Sequence, residues 1–382
     1  MSPKGFGFFK EKRAINIQFF MKILVLIVCG LGFEVFTRGI FLSPRNITLL
    51  LRQTAINGVL ATGMVFVIVS GNIDLSIGSG VALSGAALAI LETWHEWSTF
   101  SAILVVIGIG LMMGIFNGFW IVRGVPSFVA TLGSMLILRG LALIFTKGVS
   151  IAPLNVSTKM IGQGFIGKTA SIVIFIVIVV IYLIFWIYRK NVTRANRQPG
   201  SRRKPIIQLV LFLVLIVVMI YVVYGYKGIP IPVFIMIAVM LIMWFIARYT
   251  EFGRYVYAVG GNIEASRYSG INVRSVTFFV FLIMGALTSV GGILLSSRLD
   301  GAMPVMGYFM ELDAIAAAFI GGCSMSGGVG TVWGALFGAL FMATLDNGMS
   351  LMNISSFVQY VVKGIIIILA VFSDVSTKAR AR

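Results

Sequence analysis

Long apolar runs dominate this chain and restrict it to few folds. Eight runs are nearly uninterrupted, at 19–41, 47–70, 100–122, 170–188, 206–224, 232–247, 276–296 and 357–372, and four weaker ones lie at 77–91, 127–145, 312–322 and 331–345. The weaker runs are short or rich in Gly, Ala and Ser, as is typical of helices packed inside a membrane bundle. A helix needs about 20 mostly apolar residues to cross a bilayer. We therefore expect an all-α polytopic membrane bundle with about twelve spans, ten of them forming a core.

The basic residues predict how this bundle is oriented. The net charge of +18 is compatible with binding nucleic acid, but the basic clusters fall on one face of a twelve-span topology. They are Lys4, Lys10, Lys12, Arg13; Arg189, Lys190, Arg194, Arg197, Arg202, Arg203, Lys204; Arg248, Arg254, Arg267, Arg274; and Lys378, Arg380, Arg382. The other face has Arg45, Lys147, Lys159, Lys168, Lys227 and Arg298. By the positive-inside rule the clustered face is cytoplasmic, so we expect both termini there and no nucleic-acid partner.

Two runs, 170–188 and 206–224, differ from the others because they are apolar on every side. Such helices are typical of a lipid-facing position at the edge of a bundle. The basic loop between them is expected to meet anionic lipid headgroups, with a regulatory partner as the alternative. The expected organisation is one transmembrane domain over 1–382, with a core at 19–169 and 226–372, an inserted hairpin at 170–225, and its basic loop at 189–205.

A long polar segment, 249–277, interrupts the apolar pattern on the predicted cytoplasmic side. Asn262 is suited to cap a short helix, Glu264 lies in its first turn, and Gly270 can end it. Two consecutive glycines before Asn262 allow a sharp entry turn. A helix of about two turns is not stable alone, so it must dock on something. An ordinary connecting loop is the alternative.

A nucleotide-binding pattern occurs in the segment GQGFIGKT, residues 162–169. It matches both G-x-x-x-x-G-K-[ST] and G-x-G-x-x-G, which cradle phosphates when a buried strand precedes them and a helix opens into an aqueous site. Here a membrane span follows Thr169, and the predicted topology places Lys168 on the extracytoplasmic side. We therefore do not expect ATP to bind this segment.

Polar residues inside the predicted membrane region are few, and such residues by default mark a solute route or a buried hydrogen-bond network. The segment SGNIDLSIGSG, residues 70–80, breaks two spans and predicts irregular backbone that is buried in protein or lines water. Asp74 is suited to cap the helix that begins near Leu75, or to line a route, and the first role is favoured. A second break at Pro126 predicts a new helix start.

Other polar positions lie near predicted helix ends. Glu311 and Asp313 begin one span, and Asp346 with Asn347 is expected to end the next. The candidate pathway residues are Asn72, Asp74, Ser76, Asn117, Phe128, Thr131, Glu311 and Asn347. The pattern contains no nucleophile with a base, and neither Cys29 nor Cys323 lies in a CxxC spacing, so we expect no catalytic centre, no metal site and no disulfide framework.

Three segments together resemble one family. These are SGNIDLSIGSG, AVGGNIEASRYSGINV at 258–273, and the stretch from AAAFIGGCSMSGG to KGIIIILAV at 316–371. In this order they resemble the permease subunits of bacterial monosaccharide ABC importers of the ribose, xylose and galactose type. The resemblance covers about 43–371, and the extra hairpin resembles the longer xylose or multiple-sugar permeases.

The resemblance implies a transport subunit of the inner membrane, not an enzyme. It implies two cytoplasmic ABC ATPase subunits that bind ATP and Mg²⁺, an external sugar-binding protein, a second permease copy that makes a homodimer, and a monosaccharide such as xylose as solute. The coupling residues that it implies, by contact with the ATPase, are Gly260, Gly261, Asn262, Glu264, Ala265, Arg267 and Gly270. A secondary transporter or channel for a small polar solute is the main alternative, and a membrane-embedded enzyme is a third.

Overall fold

The computed structural model describes residues 17–195 and 203–379. The described residues form fifteen α-helices: α1 Ile17–Phe36, α2 Pro44–Val69, α3 Ile77–Ala89, α4 Thr99–Val122, α5 Ser127–Thr146, α6 Val156–Gln163, α7 Lys168–Ala195, α8 Arg203–Gly225, α9 Ile231–Tyr249, α10 Glu251–Gly261, α11 Ile263–Tyr268, α12 Val273–Leu299, α13 Met310–Gly321, α14 Val332–Leu351 and α15 Ser356–Ala379. A π-helical turn, Ile90–Trp94, extends α3. Two short antiparallel strands, β1 Phe165–Ile166 and β2 Ile229–Pro230, join the start of α7 to the start of α9.

All twelve predicted runs coincide with helices, so the all-α membrane fold is confirmed. Six helical segments of the described chain are long and apolar enough to cross a membrane, by length and composition: Pro44–Val69, Ile77–Trp94, Thr99–Val122, Ser127–Thr146, Ile231–Tyr249 and Val273–Leu299. The helix at the predicted run 312–322 has only 12 residues, about 18 Å, and is too short to cross alone.

The helix α12 is central to the bundle and contacts α2, α3 and α4. Glycines bring α12 and α4 into backbone contact: a Cβ on Gly285 would lie 2.2 Å from Gly110 O, and a Cβ on Gly114 would lie 2.5 Å from Phe281 O. Small residues at helix crossings are typical of membrane bundles, where close van der Waals packing replaces the hydrophobic effect as the force between helices. This close contact fixes α12 relative to α4.

The helix α2 is mostly buried and contacts α9, α12, α13 and α14. After α2, residues 71–76 are irregular, as predicted, before α3 begins at Ile77. Asp74 and Ser76 are buried there, so the irregular backbone lies inside the protein. The short α13 and α14 form a tight hairpin, in which a Cβ on Gly338 would lie 1.9 Å from Ala317 O. The helices α2, α12, α13 and α14 surround the cavity described below.

The predicted hairpin is present as α7 and α8, which contact each other, and α8 also contacts α2. Apolar side chains such as Ile181 and Ile184 of α7 and Val217 of α8 are more than half exposed, which fits a lipid-facing surface. That this hairpin is an insertion, and what its basic loop does, stay predictions. Residues 196–202 of the loop lie outside the described residues. The terminal basic residues Lys4, Lys10, Lys12, Arg13, Arg380 and Arg382 also lie outside them.

The P-loop-like segment has a packing explanation. A phosphate-binding loop follows a buried strand. This segment instead begins in the last turn of α6, and the short strand β1 lies within it. A Cβ on Gly162 would lie 2.2 Å from Arg298 N, so this glycine lets α6 approach the end of α12. Lys168 donates a hydrogen bond to Tyr224 O at 2.9 Å and joins the two ends of the hairpin.

Candidate coupling site and membrane cavity

The short helix predicted around Asn262 is present as α11. Asn262 caps it, because its Oδ1 accepts a hydrogen bond from Ala265 N at 2.9 Å. Arg267 forms a 3.0 Å ion pair with Glu264 one turn earlier, and Gly270 follows with a positive φ of 82°. The capping residue and the glycine after the helix are therefore those that the sequence predicts.

One face of α11 is open to solvent. Tyr268 is 90% exposed, and Ile263, Glu264 and Arg267 are also exposed, while Ser266 is buried against the rest of the chain. An exposed tyrosine and isoleucine beside an exposed ion pair are the kind of mixed surface that protein interfaces use. The helix thus has one solvent-exposed face and is attached to the bundle by its other side, and its contact with a partner stays a prediction.

The predicted role of Gly260 and Gly261 in a sharp entry turn is wrong. Both are the last residues of α10, a helix that the sequence analysis missed, and the chain changes direction at Asn262, which is extended. A Cβ on Gly260 would lie 1.6 Å from Val69 O, at the end of α2. Gly260 is therefore required for a close backbone contact between α10 and α2, and not for a turn. We call this contact the Gly260 junction.

The Gly260 junction also includes the loop between α13 and α14. Gly328 N donates a hydrogen bond to Val69 O at 2.8 Å, and a Cβ on Gly327 would lie 2.7 Å from Gly260 O. Nearby, the Tyr257 hydroxyl of α10 donates to Gly330 O at 2.8 Å. Burial raises the pKa of Tyr257 to about 12, so the hydroxyl keeps its proton at neutral pH. The helix α10, which precedes α11, is thus joined to α2 and to the loop between α13 and α14.

Three of the candidate pathway residues form a buried network. Asp74 Oδ1 accepts hydrogen bonds from Ser76 N at 2.8 Å and from Ser76 Oγ at 2.6 Å. Asn117 Nδ2 donates to Ser76 Oγ at 2.9 Å, and Ser134 Oγ donates to Asn117 Oδ1. The network joins the start of α3 to α4 and α5 and satisfies its own polar groups. The prediction that Asp74 caps a helix beginning near Leu75 is wrong, because α3 begins at Ile77 and Asp74 bonds to Ser76, the residue before that helix.

Of the remaining candidates, Asn72, Thr131 and Glu311 lie close to this network, since Thr131 Oγ1 is 3.4 Å from Ile73 O and Glu311 lies against Gly78. Asn72 donates to Ser70 O, Thr131 donates to Ser127 O at 2.8 Å, and Phe128 is 52% exposed at the surface of the chain. Asn347 forms two reciprocal amide hydrogen bonds with Asn46, at 2.7 and 2.9 Å. Glu311 is buried beside Gly78, where a Cβ would lie 2.1 Å from Glu311 Oε2. The role of these candidates in a pathway stays a prediction.

A cavity of about 180 Å³ lies elsewhere in the bundle, among residues that the sequence analysis mostly did not single out. Its lining comes from four helices and consists of Gln53, Ile56, Asn57, Leu295, Arg298, Met310, Asp313 and Asp346. A partial signal for it existed, because Gln53 and Asn57 are four residues apart and therefore share one face of α2, although Arg52 also interrupts the apolar pattern of this helix. Asp313 and Asp346 also stand out as carboxylates in apolar runs, but nothing in the sequence indicates that they line the same cavity as Gln53 and Asn57.

Two of these lining residues belong to a buried ion triad. Lys363 Nζ of α15 lies 3.0 Å from Asp313 Oδ2 and 2.9 Å from Asp346 Oδ1, and all three side chains are mostly buried. The prediction that Asp346 and Asn347 end their helix is wrong, because α14 continues to Leu351. Asp346 stays inside the bundle because Lys363 compensates its charge.

Known proteins similar to this chain were found over nearly its whole length. Residues 46–371 match the family described as branched-chain amino acid transport system / permease component. The chain is 40% identical to the xylose transport system permease protein XylH of Haemophilus influenzae, over 96% of this chain and 99% of that protein. It is 41% identical to XylH of Escherichia coli K12, over 98% and 96% of the two chains.

The ribose import permease protein RbsC of Bacillus subtilis is 37% identical over 87% of this chain and 86% of its own length. No solved structure matches the chain at a significant level. The apolar helices agree with the membrane location of such permeases. This chain is a multi-pass membrane protein that belongs to the family of transport-system permease components.

Proposed function

We propose that this chain is the membrane-spanning permease subunit of an ATP-driven sugar importer, and that its solute is xylose or a related pentose or hexose. The observation that carries the proposal is the identity of 40–41% over almost the full length of two xylose permeases. The family description mentions branched-chain amino acids, but the ribose permeases among the relatives also favour a sugar. An uncharged sugar needs hydrogen-bond donors and acceptors along its route and carries no charge that the route must compensate.

The proposed assembly contains two copies of this chain, two cytoplasmic ATPase subunits that bind ATP and Mg²⁺, and an external sugar-binding protein. The termini and α11 lie on the cytoplasmic side of a bundle with about twelve membrane segments. The open face of α11 docks in the ATPase subunit through Glu264, Arg267 and their neighbours. The exposure of Tyr268 and the capped geometry of α11 support this role.

The Gly260 junction supplies a route for the coupling. When the ATPase subunits close, they displace α11 and α10, and the backbone contacts at Gly260 transmit this displacement to α2 and to the loop at 324–330. Each nucleotide state favours one access state of the bundle through different contact free energies. The close backbone packing makes the junction stiff, so a displacement on one side is not absorbed by side-chain motion.

The docking of α11 is tested with the double variant Glu264→Ala, Arg267→Ala in proteoliposomes that contain the ATPase subunit and the binding protein. We expect ATP-dependent xylose uptake and stimulation of the ATPase to fall at least about tenfold, as expected for loss of a central interface contact. The matched control is Glu251→Ala, Arg254→Ala, an exposed pair of the same spacing on α10. Unchanged uptake by the α11 variant, with normal insertion, would contradict the docking assignment.

A further inference from the structure

We infer that the cavity between α2, α12, α13 and α14 is a binding station for an uncharged polyol on its way through the membrane. This inference rests on the proposed function, and it adds the place in the bundle where the solute is bound. The cavity is distinct from the network at Asp74 and from the exposed Phe128, which the sequence suggested for this role.

The lining has the chemistry that a polyol requires. A sugar hydroxyl both donates and accepts, so its site needs donors and acceptors together. Asn57 supplies an amide, Arg298 supplies donors, and Asp313 and Asp346 supply acceptors. Gln53 Oε1 is buried and accepts no hydrogen bond from the described residues, which leaves an acceptor for a solute hydroxyl. The apolar lining residues Ile56, Leu295 and Met310 suit the C–H faces of a sugar ring.

Charged side chains of both signs lie at the cavity. Asp313 and Asp346 share Lys363, while Arg298 lines the cavity and lies near a further cation, Arg52. The uncharged character of the solute therefore follows from the proposed function and not from these charges. Lys363 is a positioning residue in this arrangement, because it holds the two carboxylates of α13 and α14 near each other.

The cavity lies away from the Gly260 junction along the helices that meet there. Asn57 and Gln53 precede Val69 by 12 and 16 residues, which places them about 18 and 24 Å from the junction along α2. Between Asn57 and Val69, the side chains of Leu60 and Met64 are fully buried, so this part of α2 is packed inside the protein. The helix α13 ends before the loop that contributes to the junction, and α14 begins after it. Movement of α11 therefore reaches three walls of the cavity.

The test compares Gln53→Leu and Asn57→Leu with the control Gln359→Leu, a glutamine of α15 that does not line the cavity and donates to Ile354 O in the loop before that helix. The assay is xylose uptake in proteoliposomes with the ATPase and binding protein. For both cavity variants we expect uptake to fall about tenfold, with ATPase stimulation changed less than about twofold, because docking is intact. The control should change neither. If the wild type takes up xylose and both cavity variants do so at the wild-type rate, the binding station is ruled out while the proposed function stands.

A second measurement separates this inference from the proposed function. Asn57→Cys, in a background with Cys29→Ala and Cys323→Ala, is exposed to a small polar thiol reagent, with and without xylose-loaded binding protein. If xylose-loaded binding protein slows the labelling several-fold, the binding station is supported. If it does not change the labelling rate, the binding station is ruled out even when the wild type takes up xylose. Failure of the wild type to take up xylose counts against the proposed function.

Discussion

Replacing Gly260 by alanine perturbs the junction at its closest contact. The new Cβ would lie 1.6 Å from Val69 O, whereas ordinary contact begins at 3.4 Å, so the two backbones must separate by about 1.8 Å. Overpacking against rigid backbone costs about 1–3 kcal/mol, and loss of the hydrogen bond from Gly328 N to Val69 O adds about 1 kcal/mol. Alanine recovers up to about 1 kcal/mol through its helix propensity. The net expected destabilisation is about 1–3 kcal/mol.

The neighbouring residue supplies the control. A Cβ on Gly261 meets nothing within 4 Å, so Gly261→Ala is expected to be neutral or slightly stabilising. Thermal unfolding of the purified variants reports stability, and ATPase stimulation in proteoliposomes reports coupling. We expect Gly260→Ala to unfold earlier and to lose most of its coupling, while Gly261→Ala keeps the stability of the wild type. If Gly260→Ala has the stability and coupling of the wild type, the close junction and its role in transmission are refuted.

Two further predictions concern groups held in the interior. Replacing Lys363 by methionine leaves the carboxylates of Asp313 and Asp346 without their cation, and we expect a loss of about 3–5 kcal/mol in thermal unfolding, which changing both carboxylates to amides partly restores. No restoration would mean that charge compensation is not the cause. Tyr257→Phe removes the bond to Gly330 O and should cost about 1 kcal/mol at neutral pH. Because the pKa of Tyr257 is raised from 10.0 to about 12, its contribution is present below pH 10 and is lost as pH rises through about 12. Unfolding of the phenylalanine variant should lack this component of the pH dependence, and an identical profile in both proteins would contradict the assignment.

The helices and the capped α11 were predictable from sequence because they depend on local signals. Runs of apolar residues predict spans, and Asn262 before Glu264 predicts a capped first turn. The existence of α10 was missed because its glycines at 260 and 261 usually disfavour a helix. Their actual role depends on the approach of Val69, which is distant in the sequence.

The site was less predictable, because its parts meet only in the folded bundle. Lys363 pairs with residues 50 and 17 positions away, and nothing in the local sequence indicates which carboxylate it meets. Asp74 and Asn117 attract attention as polar residues in an apolar chain, yet they satisfy other buried groups. The face shared by Gln53 and Asn57 was a partial local signal for the cavity.

The central claim is that this chain transports a sugar with energy from a separate ATPase. The most direct measurement is uptake of labelled xylose and, separately, of labelled leucine into proteoliposomes, with the ATPase subunit, the binding protein and ATP each omitted in turn. The account predicts that xylose accumulates only when all three are present, and that leucine does not accumulate. Xylose accumulation without the ATPase, driven by an ion gradient, or accumulation of leucine in place of xylose, would contradict it.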